Sequence, residues 1–170
     1  NGAEIYSCKL DFDEAHARIE RYYRPYHDAL EDLITATRTR FSTCILIDCH
    51  SMPSIGGPME NDAGRRHQVD FILGDAHGQS CARPLTRLVE DTLREMGYSV
   101  VRNTPYAGGF ITRNYGRPQR GVHALQIEIN RALYMNETTF ERTSGLAEVA
   151  ANMKLLAARL AELEPASLAA

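Results

Sequence analysis

Apolar positions follow two different rhythms along this chain. From Asp11 onward, Ala15, Ile19, Tyr22, Tyr23, Tyr26, Leu30, Leu33 and Ile34 recur at the spacing of one helix face. Asp11 followed by Glu14 gives that stretch a capping-box-like start. Pro25 interrupts it without shifting the phase, which predicts one kinked helix over about residues 11–39. The rhythm then changes to short, β-branched apolar runs. "TCILIDC" (43–49), "QVDFIL" (68–73, ended by Gly74), "YSVVRN" (98–103) and "VHALQIEIN" (122–130) each read as a buried strand. Between the first two, "SMPSIGGPMENDAGRR" (51–66) carries the Gly, Pro and Asn of a loop. "ARPLTRLVEDTLREMG" (82–97) predicts a helix with Pro84 in its first turn and Gly97 as a left-handed stop. "TPYAGGFITRNYGRPQRG" (104–121) reads as a long loop, or a loop holding a short hairpin. "TSGLAEVAANMKLLAARLAELE" (143–164) predicts a closing amphipathic helix, with Leu146, Val149, Met153, Leu156 and Leu160 in its stripe.

Helices alternating with buried strands predict an α/β sandwich around a mostly parallel or mixed sheet. Ligands in such sheets gather at the carboxyl ends of the strands. The polar clusters of this sequence fall there.

Length and charge narrow the picture. The 170 residues suit a single α/β domain with a real core. A net charge of −3 gives no reason to expect nucleic acid or an anionic membrane as partner, while local arginine clusters remain possible ligands for a small anion. No run approaches the ~18 uninterrupted apolar residues of a membrane span. Cys8, Cys44, Cys49 and Cys81 form no CxxC pair, and a chain of this size needs no disulfide staple. Reduced thiols in a cytoplasm are the expectation, and no charged-then-apolar leader opens the chain. It starts without an initiator Met, almost directly in a helix, as a processed chain or the C-terminal part of a longer one would.

Several clusters hold groups that can do chemistry. Asp48 and His50 end the first strand on one side of it. His50 is either a metal ligand or acid/base, or a strand-end histidine bonded to a loop, with Ser51 capping a turn. Gln126, Glu128 and Asn130 share a face of the fourth strand. Glu128 sits among Leu125, Ile127 and Ile129, so it must be partnered or protonated if buried. It is either a general base with a tuned pKa or half of a structural ion pair, with Arg131 or another arginine. In "YAGGFITRNYGRP", the Gly108–Gly109 pair permits close backbone approach, and Arg113, beside Asn114 and Tyr115, offers a fork for a carboxylate or is a plain solvated arginine. Asp75, His77 and Ser80 mark a strand-to-helix junction that would bind an anion or simply cap the helix. His67 and Asp70 fall on opposite faces of their strand, which argues against a shared metal. Arg24 and His27 flank the proline, with packing or surface roles favoured over a cleft. His123 faces away from Glu128 and reads as a hydrogen-bonded core histidine.

Taken in order, "RYYRPYHDAL", "LIDCHSMPS", "VDFILGDAHGQSCARPL", "GYSVVRNTPYAGGFITRNYG" and "GVHALQIEINRALYMNE" resemble the successive motifs of N-formylglutamate amidohydrolases. The resemblance runs from about Tyr22 to Glu137. It implies a three-layer sandwich with a mixed central sheet, like the zinc carboxypeptidases of the phosphorylase/hydrolase-like folds. It also implies hydrolysis of the formyl amide of N-formyl-L-glutamate to formate and glutamate, late in histidine breakdown. His50 of "DCHS" then becomes a Zn2+ ligand and Glu128 of "QIEIN" the general base. Arg113, with Asn114, Tyr115 and Gly109, becomes the first candidate for holding the substrate's carboxylates. Asp48, Ser51, Asp75 and His77 would support the site. The family's other metal ligands, a histidine in an "HSG"-type motif and an acidic residue, have no counterpart here, so they are expected upstream, with this chain the C-terminal portion of a longer domain and weak or inactive alone. Two readings compete with this one: a zinc hydrolase of another N-acyl amino acid or peptide, and a non-catalytic fragment that binds a small anion or a partner.

Overall fold

The structure is a computed structural model, and it describes residues 4–56, 63–65 and 67–168. Part of the loop read over residues 51–66 therefore lies outside the described residues. The elements run α1 (Phe12–Arg18), α2 (Arg24–Phe41), β1 (Cys44–Met52), β2 (Phe71–Gly74), α3 (Arg83–Glu95), β3 (Val100–Arg102), α4 (Phe110–Tyr115), β4 (Val122–Asn130) and α5 (Gly145–Ala161).

The opening helix follows its pattern. Asp11 accepts the Glu14 N–H at 2.7 Å, half of a capping box, while the Glu14 side chain turns instead to Arg18. A π-helical turn, Ile19–Tyr23, joins α1 to α2. Pro25 has no N–H to give the preceding turn, and the wider i→i+5 register just upstream, with the Arg24 N–H reaching the Ile19 carbonyl, absorbs that loss. Helix α3 starts at Arg83 with Pro84 in its first turn. It ends in a Schellman arrangement: Gly97, at φ +92°, donates to the Arg94 carbonyl at 2.9 Å and Tyr98 to the Leu93 carbonyl at 3.1 Å.

The four strands form one mixed sheet in the order β1-β4-β2-β3. β1 pairs with β4 in parallel, β4 with β2 antiparallel, and β2 with β3 in parallel. The nine-residue β4 lies at the centre, and only Ile129 in it is not fully buried. One face of the sheet packs Phe71, Leu73, Leu125 and Ile127 against Leu85, Val89 and Leu93 of α3 and Leu156 and Leu160 of α5. The other face packs Cys44 and Val122, with Leu46, against Leu30 and Ile34 of α2 and Ile111 and Tyr115 of α4. The chain is thus an α/β sandwich with helices on both sides of a mixed sheet.

Two local expectations are corrected. The stretch read as a loop or hairpin over residues 104–121 contains α4 and a 3-10 turn, Pro118–Arg120. Ile111 and Tyr115, one helical turn apart, supply an apolar face that docks on the sheet. The second strand begins at Phe71 rather than Gln68, because the Asp70 N–H goes to Ser99, to its carbonyl at 3.1 Å and its hydroxyl at 2.9 Å.

Candidate active site

The parallel register of β1 and β4 places Asp48 beside Gln126 and His50 beside Glu128. All four side chains belong to the α2/α4 face. Toward the start of the strands that face is apolar, with Cys44, Leu46 and Val122 under the helices. Toward the carboxyl ends it becomes polar, which is the ligand-binding edge of an open α/β sheet.

Contacts among the four are close. His50 Nε2 lies 3.2 Å from Asp48 Oδ1, and His50 Nδ1 lies 3.8 Å from Glu128 Oε1. Gln126 Nε2 donates to Glu128 Oε1 at 2.6 Å, and Gln126 Oε1 accepts the Gly109 N–H at 2.6 Å. His50 is half exposed, whereas the Glu128 residue is only 7% exposed and stacks in register between His50 and Ile72. Burial pushes the Glu128 carboxyl above its ordinary range; the Gln126 bond and nearby His50 pull the other way without cancelling it.

The ion-pair reading of Glu128 does not hold among the described residues. Arg131 turns to Ser51 instead, donating from Nε to the hydroxyl and from Nη2 to the carbonyl, both at 3.2 Å. Glu128 keeps Oε2 without a hydrogen bond from any described side chain. Asp48 Oδ2 is buried and has no partner either.

A neutral imidazole has one N–H and one lone-pair nitrogen. Only the Asp48 contact of His50, at 3.2 Å, is within hydrogen-bond reach, and the Glu128 contact at 3.8 Å is not. The described residues do not close a metal centre by themselves, since no group of three His, Cys, Asp or Glu side chains is disposed to hold an ion. A catalytic zinc needs about three protein ligands, so this donor set does not fit one alone.

The other sequence candidates fall elsewhere. Gly109 is at the site through its N–H. Tyr115 is buried, with its hydroxyl 2.5 Å from His27 Nδ1, so it ties α4 to α2; His27 thereby packs rather than lining a cleft. Arg113 and Asn114 are exposed, and Arg113 lines a pocket of about 260 Å3 with Ala76, Gln79, Ser80, Gly116 and Arg117, none of them a member of the His50–Glu128 cluster. Asp75 is a closed structural node. Its Oδ1 accepts from the Gly78 N–H at 2.9 Å and Asn103 Nδ2 at 2.8 Å, and its Oδ2 from the Thr86 hydroxyl at 3.1 Å. His77 is exposed on the same turn. His123 is buried on the opposite face and accepts the Ala82 N–H on Nδ1 at 3.2 Å, the core histidine its strand position predicts. All four cysteines are free. No helix of the described residues is long and apolar enough to cross a membrane.

The role of Gln126 was not legible in the sequence beyond its place two residues before Glu128. The period of two puts the pair on one face, but only the fold shows that the Gly109 loop reaches across to it.

A family model described as N-formylglutamate amidohydrolase matches residues 1–135. The N-formylglutamate deformylase of Pseudomonas putida is 34% identical over 132 residues, covering 74% of this chain and 46% of that protein. Its counterpart from Pseudomonas aeruginosa is 33% identical over 138 residues, covering 80% and 50%. The chain thus spans about half the length of these curated relatives. The crystal structure of an N-formylglutamate amidohydrolase from Ralstonia eutropha superposes with a TM-score of 0.82 at 42% identity, over 93% of this chain and 56% of that one. By family match, by sequence identity and by fold, the chain belongs to the N-formylglutamate amidohydrolase family.

Proposed function

We propose that this chain contributes the general base to hydrolysis of the formyl amide of N-formyl-L-glutamate, giving formate and glutamate. The observation that carries it is Glu128: a buried carboxylate with one oxygen held by Gln126 and the other open, at the carboxyl edge of the sheet beside His50. A carboxylate raised above its ordinary range is a stronger proton acceptor than a free one. In this reading Glu128 Oε2 takes a proton from the attacking water and returns it to the departing amine nitrogen. The names of the relatives support the substrate.

Zinc belongs to the proposal with His50 as one ligand, its remaining ligands lying outside the described residues. Arg113 is the proposed partner for a substrate carboxylate. Because α4 carries it on an exposed side, that contact requires substrate to reach the pocket beside Gly116.

The test is formate release from N-formylglutamate by the protein carrying this chain, with and without a chelator, alongside N-acetylglutamate and a short peptide. Release from the formyl substrate that a chelator abolishes is the expected result. No release sinks the hydrolase reading, chelator-insensitive release sinks the zinc, and preference for the acetyl compound or peptide moves the substrate class.

A further inference from the structure

Gln126 is 5% exposed and has its two polar ends engaged in opposite senses. Its oxygen accepts from the Gly109 N–H and its nitrogen donates to Glu128 Oε1, each at 2.6 Å. Chemistry fixes this orientation. A backbone N–H can only donate, so the amide atom facing Gly109 must be the oxygen, and the NH2 must face Glu128. The far end of the link is also held. A Cβ on Gly74 would come within 2.5 Å of the Gly108 nitrogen, so the loop lies flat against β2. The Ala76 N–H donates to the Ala107 carbonyl at 2.8 Å. Gly108 sits at φ +111°, where a Cβ would meet Thr112 Oγ1 at 2.5 Å, and that hydroxyl donates to the Gly109 carbonyl at 3.0 Å. The Gly109 N–H is therefore a fixed donor.

We propose that Gln126 is a positioning residue for the hydrolysis, tying Glu128 to the Gly109 loop so that Oε1 stays occupied and Oε2 alone faces water and the leaving amine. The inference rests on Glu128 as the base and deepens that reading.

The experiment compares three variants of the protein carrying this chain. Gln126→Met keeps the side chain's length and removes both bonds. Gln126→Glu keeps an acceptor for Gly109 but offers Glu128 no amide donor. Glu128→Gln removes the base. Gln126→Met is expected to lower kcat about 10–100-fold, the usual cost of losing an orienting partner, with KM within about two-fold. Amide hydrogen exchange at Gly109 should speed up in Gln126→Met and stay protected in Gln126→Glu. Because the buried carboxyl introduced by Gln126→Glu would share a proton with Glu128, its kcat does not separate positioning Glu128 from merely anchoring the loop; unchanged Gly109 exchange in Gln126→Met would overturn the proposal, since the tie to the loop would then not exist. So would an unchanged kcat in Gln126→Met beside an inactive Glu128→Gln, which leaves the base reading standing. A Glu128→Gln as fast as the wild type removes the base reading and this inference together.

Discussion

Glu128 and Asp75 are both buried carboxylates, 7% and 4% exposed, and both lie at strand ends without an arginine partner among the described residues. Their surroundings differ in one respect. Asp75 accepts three hydrogen bonds spread over both oxygens, from Gly78, Asn103 and Thr86. Glu128 accepts one from a described side chain, on Oε1. Asp75 uses its acceptor capacity to close the turn after β2 and dock α3. Glu128 leaves an oxygen open on the polar end of the sheet face. Burial alone therefore does not separate the two acids; unused acceptor capacity does, and it is what supports the proposed role of Glu128. Glu90 marks the structural extreme, since it is paired with both Arg94 and Arg102.

Substitution should split these two acids cleanly. Glu128→Gln is expected to lower the rate of formate release by about 10²–10⁴-fold, the usual worth of a general base. Its thermal midpoint should not fall, because the amide removes a charge that burial disfavours and still accepts from Gln126. Asp75→Ala should do the reverse. It strands the Gly78, Asn103 and Thr86 donors, and with about 1–3 kcal/mol for a buried unsatisfied group, a loss of about 3 kcal/mol is expected in urea unfolding. Its rate per folded molecule should stay near normal. An Asp75→Ala protein that is stable but inactive, or a Glu128→Gln that unfolds, would break the contrast.

The Gly109 N–H sets how sharply the open oxygen is defined. A Cβ at Gly109 would stand 3.2 Å from Gln126 Oε1, so the amide must shift by a few tenths of an ångström. Gly109→Ala is expected to cost roughly five-fold in kcat with under about 1 kcal/mol in stability, well short of Glu128→Gln. A loss as large as that of Glu128→Gln would mean that the loop itself touches substrate.

Much of this was legible in the chain, and the exceptions have physical causes. β4 runs over Val122–Asn130 as its apolar run predicts, because a central strand covered on both faces has little choice of register or end. Period two likewise put Asp48 with His50 and Gln126 with Glu128. What local pattern does not carry is that β1 lies beside β4, a parallel pairing between segments far apart in sequence. The six residues of α4 are too few to display a helical period, so Arg113 had no face until the fold supplied one. Pro25 signalled a break, and the π-helical turn that accommodates it has no sequence signature of its own.

The smallest expected effect concerns the opposite face of β4, where His123 is buried against Ala82. Burial lowers its pKa below the ordinary value of about 6.5. With the folded value depressed, the unfolded chain binds the proton first as pH drops. The stability that neutral His123 contributes is thus present above about pH 6.5 and is lost as pH falls through its folded value. Urea unfolding between pH 7.5 and 5 should show this decline. His123→Asn, which keeps an acceptor for the Ala82 N–H, should flatten that part of the curve and leave formate release unchanged at pH 7.5 once corrected for the folded fraction. If the decline persisted undiminished in His123→Asn, His123 would not be its source, and the raised Glu128 carboxyl could not replace it, because a group that takes its proton first in the folded state adds stability as pH falls.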